Sequence, residues 1–238
     1  MTPPSPRGAR KRALLAVDRL RGLYQAETEL THENAFQLLI ATVLSAQTTD
    51  RSVNLVTPEL FRRYPTAEDL ASADPAEVEK LIKPTGFFRL KTMRIISASR
   101  ALLELFGGNV PNTLDEMVKI PGIGRKTANV ILGAGFNEAG FAVDTHVIRL
   151  SNRLGLVATR DAVKIEAQVC AMVPKDEWTA LSLRLILHGR RICDARRPRC
   201  GECALNDFCP SSMLRPGRRL RSGKPIGEAP NSDIRVVR

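Results

Sequence analysis

The chain has 238 residues, room for one large domain or two modest ones with a proper core. Its 36 Lys and Arg outnumber 25 Asp and Glu for a net charge of +11, so the expected partner is a polyanion, with a membrane surface as the rival. No apolar run approaches the roughly 20 residues that span a bilayer, and the basic start lacks the apolar segment of a signal peptide. The expectation is a soluble, cytoplasmic protein with no membrane partner.

Residues 1–8, rich in Pro and Ser, read as a disordered tail. Arg7, Arg10, Lys11 and Arg12 then give a basic entry to a first helix over about residues 9–27. Thr31 is placed as the N-cap of a helix through Phe36, Leu38, Leu39, Ile40, Val43 and Leu44, apolar nearly all round and therefore central. Short helices are predicted to start at Thr57-Pro58, at Thr66 and at Asp74-Pro75, where a capping side chain precedes proline or an acid. A longer helix from about Leu90 stops at Gly107-Gly108. Thr113 opens another capping box, Gly133 to Gly140 read as a loose connector, and Asp144 heads a helix through Val147, Ile148 and Leu150. Two further helices follow at about 161–173 and 176–190, the first carrying Cys170 as a small core residue. Beyond Cys209, Arg215, Arg218, Arg219, Arg221 and Lys224 are interleaved with Pro and Gly, and residues 211–238 are predicted to be a disordered basic tail. No period-two alternation is sustained, so the fold class is all-α.

One stretch organises the rest: Pro121-Gly122-Ile123-Gly124-Arg125-Lys126-Thr127. Two glycines two residues apart, between an apolar run and a helix-forming run, mark a turn whose backbone comes close to a partner. The helix from about Arg125 offers unpaired N–H groups and its positive dipole end, which suits a phosphate. The phosphate loop of nucleotide triphosphatases needs a glycine where Arg125 stands, so the stretch reads as a helix-hairpin-helix gripping a nucleic-acid backbone.

Cys193, Cys200, Cys203 and Cys209 follow a C-x6-C-x2-C-x5-C spacing, four thiolates in one loop, enough for tetrahedral zinc or a 4Fe-4S cluster. Ligand type alone does not choose between them. Arg196, Arg197 and Arg199 lie between the first two cysteines, where a folded loop projects guanidinium groups towards phosphates. Taken by itself, Asp144 at a helix start is an N-cap.

The hairpin stretch, the segment Val143-Asp144-Thr145-His146 and the cysteine spacing together resemble the endonuclease III family of DNA glycosylases, over about residues 30–210. The resemblance implies a helix-hairpin-helix glycosylase fold of two helical lobes with a cleft between them. One lobe is a barrel over 31–142 with the motif at about 113–135; the other is an iron–sulfur domain of 9–30 plus 143–210. It implies a 4Fe-4S cluster on Cys193, Cys200, Cys203 and Cys209, with zinc second. The implied partner is double-stranded DNA containing damaged bases or abasic sites, met by a monomer. Lys126 is implied as the amine that attacks C1′, activated by the helix dipole and by partial desolvation, and Asp144 as the ionised carboxylate that stabilises the cationic sugar. Gly122, Gly124 and Arg125 fall to DNA contact with the hairpin. Gln47 and Phe87 fall at the positions that fill the hole left by an extruded nucleotide. Phe87 stands where the family pattern has leucine, and a core residue is the competing reading there. Asp50 lies near a family pocket position and is read as a helix cap; His146 is read as hydrogen-bonding near Asp144, and His188 as structural. The expected activity is excision of oxidised pyrimidines followed by strand cleavage through a lysine Schiff base. Two alternatives are an adenine-type glycosylase without the lyase step and a non-catalytic DNA binder.

Overall fold

The computed structural model describes residues 6–214. The described residues form eleven α-helices and no strand, as the sequence pattern requires. In chain order these are α1 (Ala9–Arg21), α2 (Ala35–Leu44), α3 (Asp50–Arg63), α4 (Ala67–Ala71), α5 (Pro75–Ile82) and α6 (Phe88–Phe106). Then come α7 (Leu114–Met117), α8 (Arg125–Phe136), α9 (Thr145–Arg153), α10 (Ala162–Cys170) and α11 (Trp178–Arg191). The basic tail positions Arg215, Arg218, Arg219, Arg221 and Lys224 lie outside the described residues.

Several boundaries follow the capping chemistry. Thr66 and Asp69 cap each other reciprocally at α4, Asp74 caps α5 with Pro75 at its first position, and α6 stops at a left-handed Gly107. Others depart from it. The cap of α2 is Asn34, whose Oδ1 accepts from Gln37 N at 2.9 Å, while the Thr31 amide is taken by Asn54 Oδ1 at 3.0 Å. Thr57-Pro58 is not a helix start: α3 runs through it from a Thr49 cap, with Asp50 as its first residue and not its cap. Buried Val53, Val56, Leu60 and Phe61 hold that helix together across the hydrogen bond that proline removes. The first helix ends at Arg21, short of residue 27. Cys170 is half-buried, not part of the core. Residues 211–214 do not belong to a loose tail, because Ser212 is buried and its amide is bonded to Cys209 O at 3.1 Å.

The chain divides into two compact units, Glu27–Ala142 and the described residues on either side of it. In the first, α2 is the central helix: Phe36, Leu38, Leu39, Ile40, Ala41, Val43 and Leu44 are all buried. Leu60, Leu70, Ile82, Ile95, Leu102 and Ile131 close around it from the surrounding helices. Each such side chain contributes about 1.5–3 kcal/mol of burial free energy. Helix α8 lies against α2, and Gly133 and Gly135 sit inside it, not in a connector. A Cβ on Gly135 would stand 3.2 Å from Leu38 Cδ2, so glycine is what lets the two helices approach. In the second unit α11 packs on α1 and α9, with Ala13, Ala16, Leu20, Leu150, Leu181 and Leu185 buried. Arg12, expected as part of a free basic arm, instead donates to Leu154 O at 2.7 Å and Gly155 O at 2.6 Å.

Candidate active site and cysteine centre

The hairpin is built from the inside out. Thr113 caps α7, and buried Ile120 and Ile123 anchor the turn into the core below α8. Between them the backbone reverses at Gly122, φ +83°, a conformation that costs an L side chain about 1–2 kcal/mol. The aliphatic stem of Arg94 lies over this glycine, with Cγ 3.8 Å from where a Cβ would stand. Gly124 differs: its φ of −88° suits any residue, and a Cβ there would meet nothing within 4 Å. Neither dihedral strain nor crowding within the described chain requires glycine at 124. Gly124 is the N-cap of α8 and provides no side-chain cap, and the positive end of the helix dipole there favours an anion. Arg125 and Lys126 stand exposed on that turn. The partial desolvation expected for Lys126 is therefore not seen in the described chain.

Gln47 and Phe87 share an unexpected trait. Both are exposed, and both hold a left-handed backbone, φ +56° and +46°. Among the described residues the third non-glycine with positive φ is Asn137, an ordinary helix C-cap. A bulky residue so placed stores about 1–3 kcal/mol of strain, which surrounding structure must hold. At 65% exposure Phe87 is no core residue, whereas its neighbour Phe88 packs on the core.

Asp144 caps α9 with one oxygen, Oδ1 accepting from Val147 N at 2.9 Å. The cap uses only Oδ1, so the position at the head of α9 does not engage the whole carboxylate. His146, in the first turn of α9, contacts Arg149 Nη2 through Nδ1 at 3.0 Å.

Cys193, Cys200, Cys203 and Cys209 are half-buried, form no disulfide, and line one cavity of about 720 Å³. Among the described residues no three His, Cys, Asp or Glu side chains converge as ligands of a single metal ion. Sulfurs set apart around a cavity fit a polynuclear cluster better than one zinc at a Zn–S distance of about 2.3 Å. Burial first, and then the neighbouring sulfurs Cys193, Cys209 and Cys200, push the Cys203 thiol up to about 11. Four thiolates here need bound cations to be stable. Side chains that the sequence reading did not assign to this loop hold it, Arg149 among them through Cys193 O at 3.1 Å. Arg153 donates to the carbonyls of Cys193, Asp194 and Ala195 and to Cys193 Sγ at 3.2 Å. His188, buried and pushed down to about 4 by that burial, places Nε2 3.3 Å from Cys203 Sγ and Nδ1 3.0 Å from the Tyr24 hydroxyl. Arg153 and Tyr24 lie about 40 and 180 residues from the sulfurs they support, directly or through His188, so no local signal marked them. Of the loop arginines, Arg199 is paired with Glu202 at 2.9 Å and donates to Arg191 O, while the Arg196 and Arg197 backbones fold over Asp194 Oδ1.

Residues 40–175 match the HhH-GPD superfamily of base excision DNA repair proteins, and residues 193–209 match the iron–sulfur binding domain of endonuclease III. The chain is 48% identical over 196 residues to endonuclease III of Synechocystis sp., covering 82% of this chain and 90% of that one. It is 41% identical over 212 residues to endonuclease III of Bacillus subtilis, covering 88% and 97%. The chain belongs to the endonuclease III family.

A solved structure of a trapped endonuclease III–DNA covalent intermediate superposes with TM-score 0.79 at 38% identity, covering 86% of this chain and 97% of that one. A non-covalent endonuclease III–DNA complex superposes equally well. The chain is accordingly a base-excision DNA glycosylase and abasic-site lyase with the all-helical glycosylase fold, and its cofactor is a 4Fe-4S cluster. No helix among the described residues is long and apolar enough to cross a membrane.

Proposed function

We propose that the chain excises oxidised pyrimidines from double-stranded DNA, acting as a cytoplasmic monomer, with Lys126 as nucleophile and Asp144 as electrostatic partner. The observation that carries the reading is an exposed lysine on the first turn of a helix with no N-terminal side-chain cap, beside a hairpin glycine held at φ +83°. Phosphate oxygens bind at the hairpin beside Gly122, Gly124 and Arg125, drawn by the positive end of α8, with Arg196 and Arg197 as further phosphate contacts. Gln47 and Phe87 enter the stack where the damaged nucleotide leaves it.

Lys126 Nζ, as the neutral amine, attacks C1′. The bond to the base breaks, its electron pair departs with the base, and a proton restores the base to neutrality. Asp144 stays ionised and stabilises positive charge on the sugar as that bond lengthens. Nζ sheds a proton, its lone pair forms the C=N bond as the C1′–O4′ pair leaves on the ring oxygen, which takes up a proton, and removal of a C2′ proton from the resulting iminium then expels the 3′ phosphate by β-elimination. Cys193, Cys200, Cys203 and Cys209 would hold the 4Fe-4S cluster, which supplies the cations that neutralise four thiolates and so stiffens the arginine loop. A relative solved as a covalent intermediate with DNA supports the same chemistry.

Borohydride trapping on a duplex with a single thymine glycol tests this, run beside Lys126→Ala. A covalent adduct in the wild type that disappears in the variant is the expected result. Strand cleavage by folded Lys126→Ala would reject the nucleophile assignment. Base release without an adduct would indicate a glycosylase lacking the lyase step, and salt-sensitive binding without product a non-catalytic binder.

A further inference from the structure

Lys91 is a lysine in the wrong place. It belongs to α6, only 2% exposed, in the company of the largest fully buried side chains of the chain. Burying an ammonium is costly unless it is paired and hydrogen-bonded. No carboxylate pairs with Lys91 among the described residues, and its Nζ donates instead to a backbone carbonyl, Thr85 O, at 2.7 Å. Desolvation lowers its pKa from the ordinary lysine value, so the site strains against the charge it contains.

What the lysine holds is the turn before α6. Its side chain grips the carbonyl on one side of Gly86-Phe87, and its own amide donates to Phe87 O on the other, at 3.0 Å. Both residues of that dipeptide have positive φ, +68° and +46°. Thr85 Oγ1 donates to Ile82 O at 2.8 Å and Gly86 N to Lys83 O at 3.2 Å, completing the frame. The phenyl ring this frame presents is exposed and has no side-chain cap to share.

We infer that Lys91 is a positioning residue that clamps the 83–87 turn, keeping Phe87 in its left-handed conformation and aimed outward for insertion into the base stack. The inference rests on the reading of Phe87 as the wedge. An apolar isostere would fill the same space at lower cost, but it would release Thr85 O and let the Gly86-Phe87 peptides relax to a commoner conformation. The ring would then search for the stack instead of meeting it.

The test uses the iron-loaded full chain with Lys91→Met, Phe87→Ala and the double variant. Lys91→Met is expected to fold with an unchanged or higher melting temperature, with faster amide exchange at Gly86 and Phe87. Base extrusion, read by 2-aminopurine fluorescence beside the lesion, should slow by about ten- to a hundredfold. In the Phe87→Ala background the same change should add less than about twofold, because both act through one ring. Lys91→Gln, which keeps a donor on a shorter arm, should fall between and serves if the methionine variant does not fold. Wild-type extrusion by Lys91→Met, or full additivity with Phe87→Ala, would overturn the positioning role. Unchanged exchange at Gly86 would overturn the clamp itself, whereas wild-type extrusion by Phe87→Ala would overturn the wedge reading on which it rests.

Discussion

Asp144 separates two functions that usually obscure each other. One oxygen accepts the Val147 amide and starts α9, and the charge of the same group is assigned to the sugar cation. Asparagine keeps the first and removes the second. Asp144→Asn is therefore expected to melt with wild-type protein while losing about 10²–10³ in the rate of base release. Asp144→Ala should lose that activity and in addition about 0.5–2 kcal/mol of stability from the missing cap. Equal melting of both variants would show that the cap contributes nothing measurable. Comparison of single-turnover rates with thermal unfolding of the two proteins decides it.

The two hairpin glycines make opposite predictions at the scale of the element. Gly122 is required by its own backbone, so Gly122→Ala should cost about 1–2 kcal/mol in the free protein. Gly124 has ordinary dihedrals and open space, so Gly124→Val should leave stability within about 0.5 kcal/mol. Its loss should appear as weaker binding to every duplex alike, since phosphate contacts carry no sequence information. Denaturation midpoints and binding isotherms on two unrelated duplexes measure both. The loop arginines divide in the same manner. Arg196→Ala and Arg197→Ala should each reduce the salt slope of binding by about one unit, and Arg199→Ala less, because Glu202 already holds its guanidinium.

At the scale of the molecule, the two units draw stability from different sources. Residues 27–142 rest on a continuous apolar core around α2. The cysteine loop has one fully buried apolar residue, Leu205, and otherwise depends on Arg153, His188 and the cluster. Oxidative removal of the cluster should accordingly release protection of residues 193–212 in amide exchange while the α2, α6 and α8 amides stay protected. Iron and acid-labile sulfide should leave in equal amounts, and Cys203→Ser should mimic the loss. Stoichiometric zinc without sulfide in protein purified without oxygen would reject the cluster assignment.

The sequence by itself determined the helical class, most caps, the central place of α2, the hairpin and the spacing of the four cysteines. These are local: a cap acts over three residues, a helical face over seven, and a metal loop over seventeen. It misjudged Thr57-Pro58 and the first half of the Gly133 to Gly140 connector, residues 133–136, because their local stop signals are overridden by burial against helices distant in sequence. Tertiary structure alone decided that Arg12 is engaged by Leu154 and Gly155, that Arg153 and the Tyr24–His188 pair support the sulfurs, and that Gln47 and Phe87 are strained. It alone revealed Lys91 as a buried ammonium, since a lysine in a polar stretch of α6 carries no sign of which carbonyl it will meet. Strain and buried charge are properties of a residue together with surroundings that the chain assembles only once it has folded.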